Sequence, residues 1–269
     1  MTNFASMSED NNMSFLQHLE ELRWRLVRAA IAVIIAGIVI WFYQVEIIEN
    51  VFLAMAEDDF ITFQYLCKYF GICSEKLNVN FQSMTVSGQF SYALMMSIVG
   101  GAIVSFPFIF YQLWGFVKPG LKFKEKKMAR GIVFYVSLLF FSGILFGYFV
   151  VAPMSIQFFG TFQMSDRIEN IYTIDSYMST IISTVFYTGL FFLLPIVTYF
   201  LTKVGLFDSV FLKKYRRHAI VIILILSAII TPPDWITQII VSVPLLLLYE
   251  VGILVAIRVE KNALKAKNN

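Results

Sequence analysis

Long uninterrupted apolar runs constrain this chain more than any other feature. GIVFYVSLLFFSGILFGYFVVAP (131–153) carries no charged residue. About 20 such residues are enough to cross the roughly 30 Å hydrocarbon layer of a membrane. In that layer backbone groups must be satisfied within the segment, and the run is too long for a barrel strand, so it must be helical. Five more candidates follow the same logic: 26–43, 90–111, 177–201, 218–230 and 235–257. The composition agrees. It is 58% hydrophobic and 14% charged, against about half and a quarter in a soluble domain. The expected fold class is an all-α membrane protein with six transmembrane helices.

Charge orients the helices. With both termini in the cytoplasm, 18 of the 21 Lys and Arg residues fall on the inner face, as the positive-inside rule requires. Only Lys68, Lys76 and Arg167 lie outside, together with ten of the 18 acids. An odd number of spans would break this alternation. The expected divisions are a cytoplasmic N-terminal segment at 1–25, a six-span domain at 26–257 and a basic tail at 258–269. Residues 1–13 are polar, so no cleavable signal peptide is expected.

Pro107, Pro195 and Pro244 sit inside spans. Each removes a backbone donor and bends its helix, so a kinked, concave arrangement is expected. Gly143 and Gly147 form a GxxxG pair, a signature of close helix packing within or between subunits. The fifth span, 218–230, is short and stops at Thr231-Pro232-Pro233-Asp234. It should form a shallow outer hairpin that thins the bilayer, or a re-entrant pair within a larger assembly. MSFLQHLEELRWR (13–25) has the leucine spacing of an amphipathic helix at the cytoplasmic interface. VEIIENVFLAMAEDDF (45–60) reads as a second interfacial helix in the first outer loop.

Few residues offer chemistry. KPGLKFKEKKMARG (118–131) surrounds one acid, Glu125, with six cations. Its plain role is a helical ion pair three or four residues away, as it is for Glu21 with Arg25 and Glu20 with Arg23. Glu250 is the one acid well inside a span. It is either a functional group or a hydrated carboxylate at a short helix. Cys67 and Cys73 lie in the first outer loop. A disulfide is allowed there if the compartment is oxidising, and so close a pair meets the required Cα distance only in some conformations. Nucleotide and zinc motifs are absent, and the two histidines, His18 and His218, are far apart. No metal, cofactor or nucleic-acid partner is expected.

Several of these segments resemble one family. HLEELRWRL (18–26), SFPFIFYQLWGFVKPGLKFKEKK (105–127), FGYFVVAP (146–153), TPPDWITQ (231–238) and LLLYEVG (246–252) are similar, in order, to motifs of TatC, the multispanning core of the twin-arginine protein translocase. The resemblance implies a receptor in the bacterial cytoplasmic (inner) membrane. It would bind twin-arginine signal peptides of folded precursors, be driven by the proton motive force, and work with TatA/TatB-type single-span proteins and other copies of itself. It implies Glu21 and Glu125 as the contacts of the arginine pair. Arg23 and Leu22 match the N-terminal motif, and Phe116 and Pro119 match residues that shape the receptor surface. Asp234 and Gln238 match the short outer turn, and Tyr148 the aromatic of span three. The lysines beside Glu125 would hold the loop against anionic lipid headgroups.

Two departures stand out. The family carries Phe-Glu-x-Pro in span four, whereas here Leu193 replaces the acid before Pro195. Either the partner helix has lost its own polar residue, or Thr188 and Tyr187 supply a weaker contact. The family's proline early in the first outer loop has no clear counterpart near Leu53.

Two rivals come from other classes. A small-solute secondary transporter would carry ionisable groups at mid-membrane and internal repeats; only Glu250 approaches this. An intramembrane enzyme would need a Ser/His, paired-Asp or zinc set at membrane depth, and the sequence offers none.

Overall fold

The structure is a computed structural model describing residues 15–57, 59–71, 81–117, 131–162, 165, 171–230 and 235–267; no side chain is described at 15–17, 70, 117, 230, 235–236 or 263–267. Its helices are α1 (Phe15–Phe42), α2 (Gln44–Ile47), α3 (Ile61–Phe70), α4 (Gly88–Val117), α5 (Ile132–Phe146), α6 (Ala152–Thr161), α7 (Ile174–Phe191), α8 (Leu194–Val204), α9 (Ser209–Lys214), α10 (Arg216–Ile230) and α11 (Trp235–Lys267). Among the described residues, five helical segments are long and apolar enough to cross a membrane: His18–Phe42, Gly88–Phe116, Ile132–Thr161, Ile174–Val204 and Thr237–Asn262. The short helix expected before the Pro-Pro turn is α10, with 15 residues.

The amphipathic segment and the first span form one helix, because α1 runs without a break across residue 25. No proline or glycine interrupts the chain there, and Glu21 and Arg25 pair one turn apart along it. The tail likewise continues α11 past Arg258 to Lys267.

Antiparallel pairing of α1 with α4 builds one side of the bundle. Gly101 lets the backbones touch: a Cβ there would come within 2.7 Å of the Val33 carbonyl oxygen and 2.8 Å of the Gly37 nitrogen. The Ser105 hydroxyl donates to the Ala32 carbonyl at 3.0 Å, and Trp41 meets Phe90 edge-on at 5.6 Å. The GxxxG pair works within the chain. A Cβ on Gly143 would lie 2.9 Å from Gly189 Cα, and one on Gly147 would lie 3.0 Å from Val185 Cα. Small residues therefore seat α5 on α7, and Phe106 of α4 stacks on the buried Phe140 of α5 at 3.7 Å.

The prolines act in two ways. Pro107 and Pro244 lie inside continuous helices. At Pro195 the helix is interrupted instead: Phe192 and Leu193 form a turn, and α8 restarts with Pro195 in its first turn, where a missing N–H costs no bond. Leu193 sits at that break. Thr188 is fully buried, with its hydroxyl donating to the Thr184 carbonyl at 2.6 Å, and Tyr187 points outward. Thr188 thus lies in the α5–α7 seam.

The 45–60 segment departs from the expected interfacial helix. It breaks into α2, a π-helical turn (Ile48–Phe52) and a 3-10 turn (Leu53–Ala56), with Phe52, Met55 and Phe60 buried. Two buried or half-buried tyrosines hold it: Tyr177 Oη donates to the Phe52 carbonyl at 2.6 Å and Tyr148 Oη to that of Val51 at 2.8 Å. Two short parallel strands, β1 (Phe81–Gln82) and β2 (Tyr172–Thr173), add a further link at this end. Beneath this cap lies a cavity of about 370 Å³ with an almost wholly apolar lining, including Ile40, Val51, Met96, Ile144, Tyr148 and Ile181.

Candidate functional site

The start of α1 packs on the end of α4, and a cluster of polar and aromatic side chains gathers there. His18, Glu21 and Arg25 recur at i, i+3 and i+7, so one face of α1 presents all of them. His18 stacks on Phe116, with ring centroids 4.2 Å apart and planes 17° from parallel. Arg25 lies over Gly115, where an added Cβ would run into the guanidinium. Gln112, one turn earlier on α4, is buried.

Glu21 has asymmetric surroundings. Its Oε1 accepts from Arg25 Nε at 2.9 Å and from Arg25 Nη2 at 2.6 Å. Its Oε2 is buried and, among the described residues, has no hydrogen-bond partner. An ionised carboxylate has about four acceptor sites, so one half of this group is served and the other is not. The two side chains are only 24% and 22% exposed, whereas the neighbouring Glu20–Arg23 pair, at 3.7 Å, is 64% and 68% exposed. The first is a packed contact. The second is a solvated pair of small energetic weight, and Arg23 also lies 5.6 Å over the Trp24 ring. Leu22 is half-buried.

Several other expected site residues lie elsewhere. Tyr148 belongs to a second π-helical turn (Gly147–Val151) at the far end of the bundle. Gln238 Nε2 donates to the Leu224 carbonyl at 3.1 Å and ties α11 to α10. Glu250 is no isolated intramembrane acid. Arg216 Nη2 reaches its Oε2 at 2.7 Å, and both side chains are about half exposed. Cys67 is in a disulfide. Pro119, Glu125, Asp234 and Cys73 lie outside the described residues.

Sequence reasoning passed over Gly115 and the role of His18 as a stacking partner. The i, i+3, i+7 spacing from His18 signals a shared face, but only tertiary packing supplies Phe116 and Gly115. It also missed Glu260, whose carboxylate accepts from the Ser209 N–H and hydroxyl, both at 2.5 Å, so that α11 caps the start of α9.

Comparisons with known proteins agree over most of the chain. The family model described as "Sec-independent protein translocase protein (TatC)" matches residues 17–244. The protein of that name from Blattabacterium sp. subsp. Periplaneta americana (strain BPLAN) is 40% identical, covering 94% of this chain and 98% of its own. TatCy of Bacillus subtilis (strain 168) is 31% identical, covering 95% and 93%. A solved structure, the crystal structure of the twin arginine translocase receptor TatC, superposes with a TM-score of 0.68 at 30% identity, covering 90% of this chain and 99% of its own. The chain belongs to the TatC family of Sec-independent protein translocase proteins.

Proposed function

We propose that this protein is the signal-peptide receptor of a twin-arginine translocase in the bacterial cytoplasmic membrane, with both termini in the cytoplasm. Glu21 and Glu125 would receive the two arginines of a folded precursor's signal peptide. The observation that carries the proposal is the half-served Glu21 carboxylate, packed where α1 meets α4 and already gripping one guanidinium. A fork of planar donors suits a carboxylate better than an ammonium does, so arginine is selected over lysine. Phe116, on its stack with His18, and Pro119 would shape the surface beside the acids. Arg23, largely solvated, would guide the approaching chain.

Single-span partners of the TatA/TatB type and further copies of this chain would assemble around the bundle. Transport would draw on the proton motive force, with no enzymatic step in this subunit. Anionic lipids would hold the basic loop. The rival reading, a small-solute transporter, leaned on Glu250 as a lone acid inside a span, and the pairing of Glu250 with Arg216 favours the receptor reading over it.

An export assay tests the proposal. A reporter with an Arg-Arg signal peptide should be exported by the wild-type protein and retained when Glu21 and Glu125 are both changed to lysine, with the protein still in the membrane. A Lys-Lys reporter should be retained throughout. Unimpaired Arg-Arg export by the double variant would contradict the proposal.

A further inference from the structure

We propose that the cavity beneath the 45–60 cap is a lipid site that takes one acyl chain of a membrane phospholipid. The proposal does not depend on the receptor reading of Glu21 and Glu125.

Four membrane-crossing segments wall the cavity, through Ile40 of α1, Gly100 of α4, Ile144 of α5 and Ile181 of α7. Val51, in the π-helical turn of the cap, closes it from above. Among the described lining residues none is charged, and Tyr148 alone carries a hydroxyl. That hydroxyl already donates to the Val51 carbonyl. A water molecule held in a cavity needs about two to four polar partners, and these walls do not supply them. Left empty, a cavity lowers stability in proportion to its volume. Dry apolar cavities of about 150 Å³ take up benzene or xenon, and this one measures about 370 Å³. The chemistry of the walls therefore calls for an apolar guest.

The opening identifies that guest. Leu145 and Phe149 line the cavity and are also exposed. Both belong to the membrane-crossing segment Ile132–Thr161, so the cavity is continuous with the surface that this segment turns to lipid. The abundant apolar group at that surface is the acyl chain. A chain of methylenes is flexible enough to follow an irregular cavity. At the roughly 30 Å³ of a water-sized group, a volume of about 370 Å³ holds roughly a dozen of them. The gain is dispersion, because the walls recover contacts that a void denies them. With no charge in the lining, the site selects the chain and not the headgroup.

The experiment places the purified full-length protein in vesicles of a phosphatidylcholine that carries a diazirine in one acyl chain, and maps the adducts by mass spectrometry after illumination. Met96 and Ile181 line the cavity and are buried, out of reach of lipid that only coats the bundle. Leu138 is exposed on α5 and lies outside the lining. Adducts should form at Met96 or Ile181 as well as at Leu138. Val99→Phe, which fills the cavity from its α4 wall, should lower the interior adducts severalfold and leave the Leu138 adduct unchanged. Leu145→Trp, at the opening, should lower them too, and it decides the matter if Val99→Phe does not fold. A phosphatidylglycerol with the same chain should give the same yields. Adducts confined to exposed positions, interior adducts that survive both substitutions, or interior adducts with only one of the two headgroups overturn the proposal. So does a photoleucine in place of Leu145 that joins two copies of the chain, since a second copy then covers the opening.

Discussion

The hydroxyl of Tyr148 donates to the carbonyl oxygen of Val51 at 2.8 Å, joining the π-helical turn at Gly147–Val151 to the one at Ile48–Phe52. A π-turn disturbs the regular backbone ladder and leaves carbonyls seeking outside donors. Tyr148 supplies one for Val51, Tyr177 one for Phe52, and Thr62 one for Phe149. The segment between α1 and α4 is thereby pinned onto the π-helical turn that joins α5 to α6, and onto α7.

Removing either tyrosine hydroxyl should therefore loosen that cap. Tyr177→Phe leaves a buried acceptor unserved and should cost about 1–3 kcal/mol. Tyr148→Phe should cost less, since Tyr148 is only partly buried. Thermal unfolding in detergent checks the order: Tyr177→Phe with the lower midpoint, both below wild type.

The α1–α4 crossing offers a matched pair of glycines. At Gly101 a new Cβ would meet only backbone, at 2.7 and 2.8 Å, while at Gly100 it would meet the flexible Cδ1 end of Ile40 at 2.9 Å. Alanine improves helix propensity equally at both, so steric room decides. Gly101→Ala should destabilise by about 1–3 kcal/mol, and Gly100→Ala should be near neutral. Equal midpoints for the two variants would contradict the close backbone contact.

Helix α10 spans 15 residues, about 22 Å at the usual rise and short of a roughly 30 Å hydrocarbon layer. Such mismatch thins the surrounding bilayer. If that thinning aids passage of a folded protein, inserting about four apolar residues after Ser227 (about 6 Å) should reduce export severalfold without reducing signal-peptide binding. Full export by the lengthened protein would remove thinning from the account.

The spans were legible because hydropathy over a long window has one physical meaning in lipid. Their ends were less so. α1 continues from the amphipathic segment into the apolar one, since nothing in LEELRWRLVRAA stops a helix. The 45–60 segment misled for a different reason: a periodic apolar stripe looks the same whether it faces lipid or, like Phe52 and Met55, a protein core. At the candidate site the Glu21–Arg25 pair follows from a four-residue spacing. The packing of His18 on Phe116 and of Arg25 over Gly115 does not, because it joins residues some 90 positions apart in the chain. The double use of Glu260 on Ser209 was hidden for the same reason.

Site-specific photocrosslinking reports whether Glu21 and Glu125 receive the arginine pair together. Crosslinkers placed at Leu22 and Lys124, each beside one of the two acids, are offered a precursor with an Arg-Arg signal peptide and the same precursor with Lys-Lys. The Arg-Arg precursor should crosslink from both positions, the Lys-Lys precursor from neither, and Glu21→Lys should abolish both adducts. Equal crosslinking of the two precursors, or an Arg-Arg precursor that reaches neither position, would contradict that joint contact.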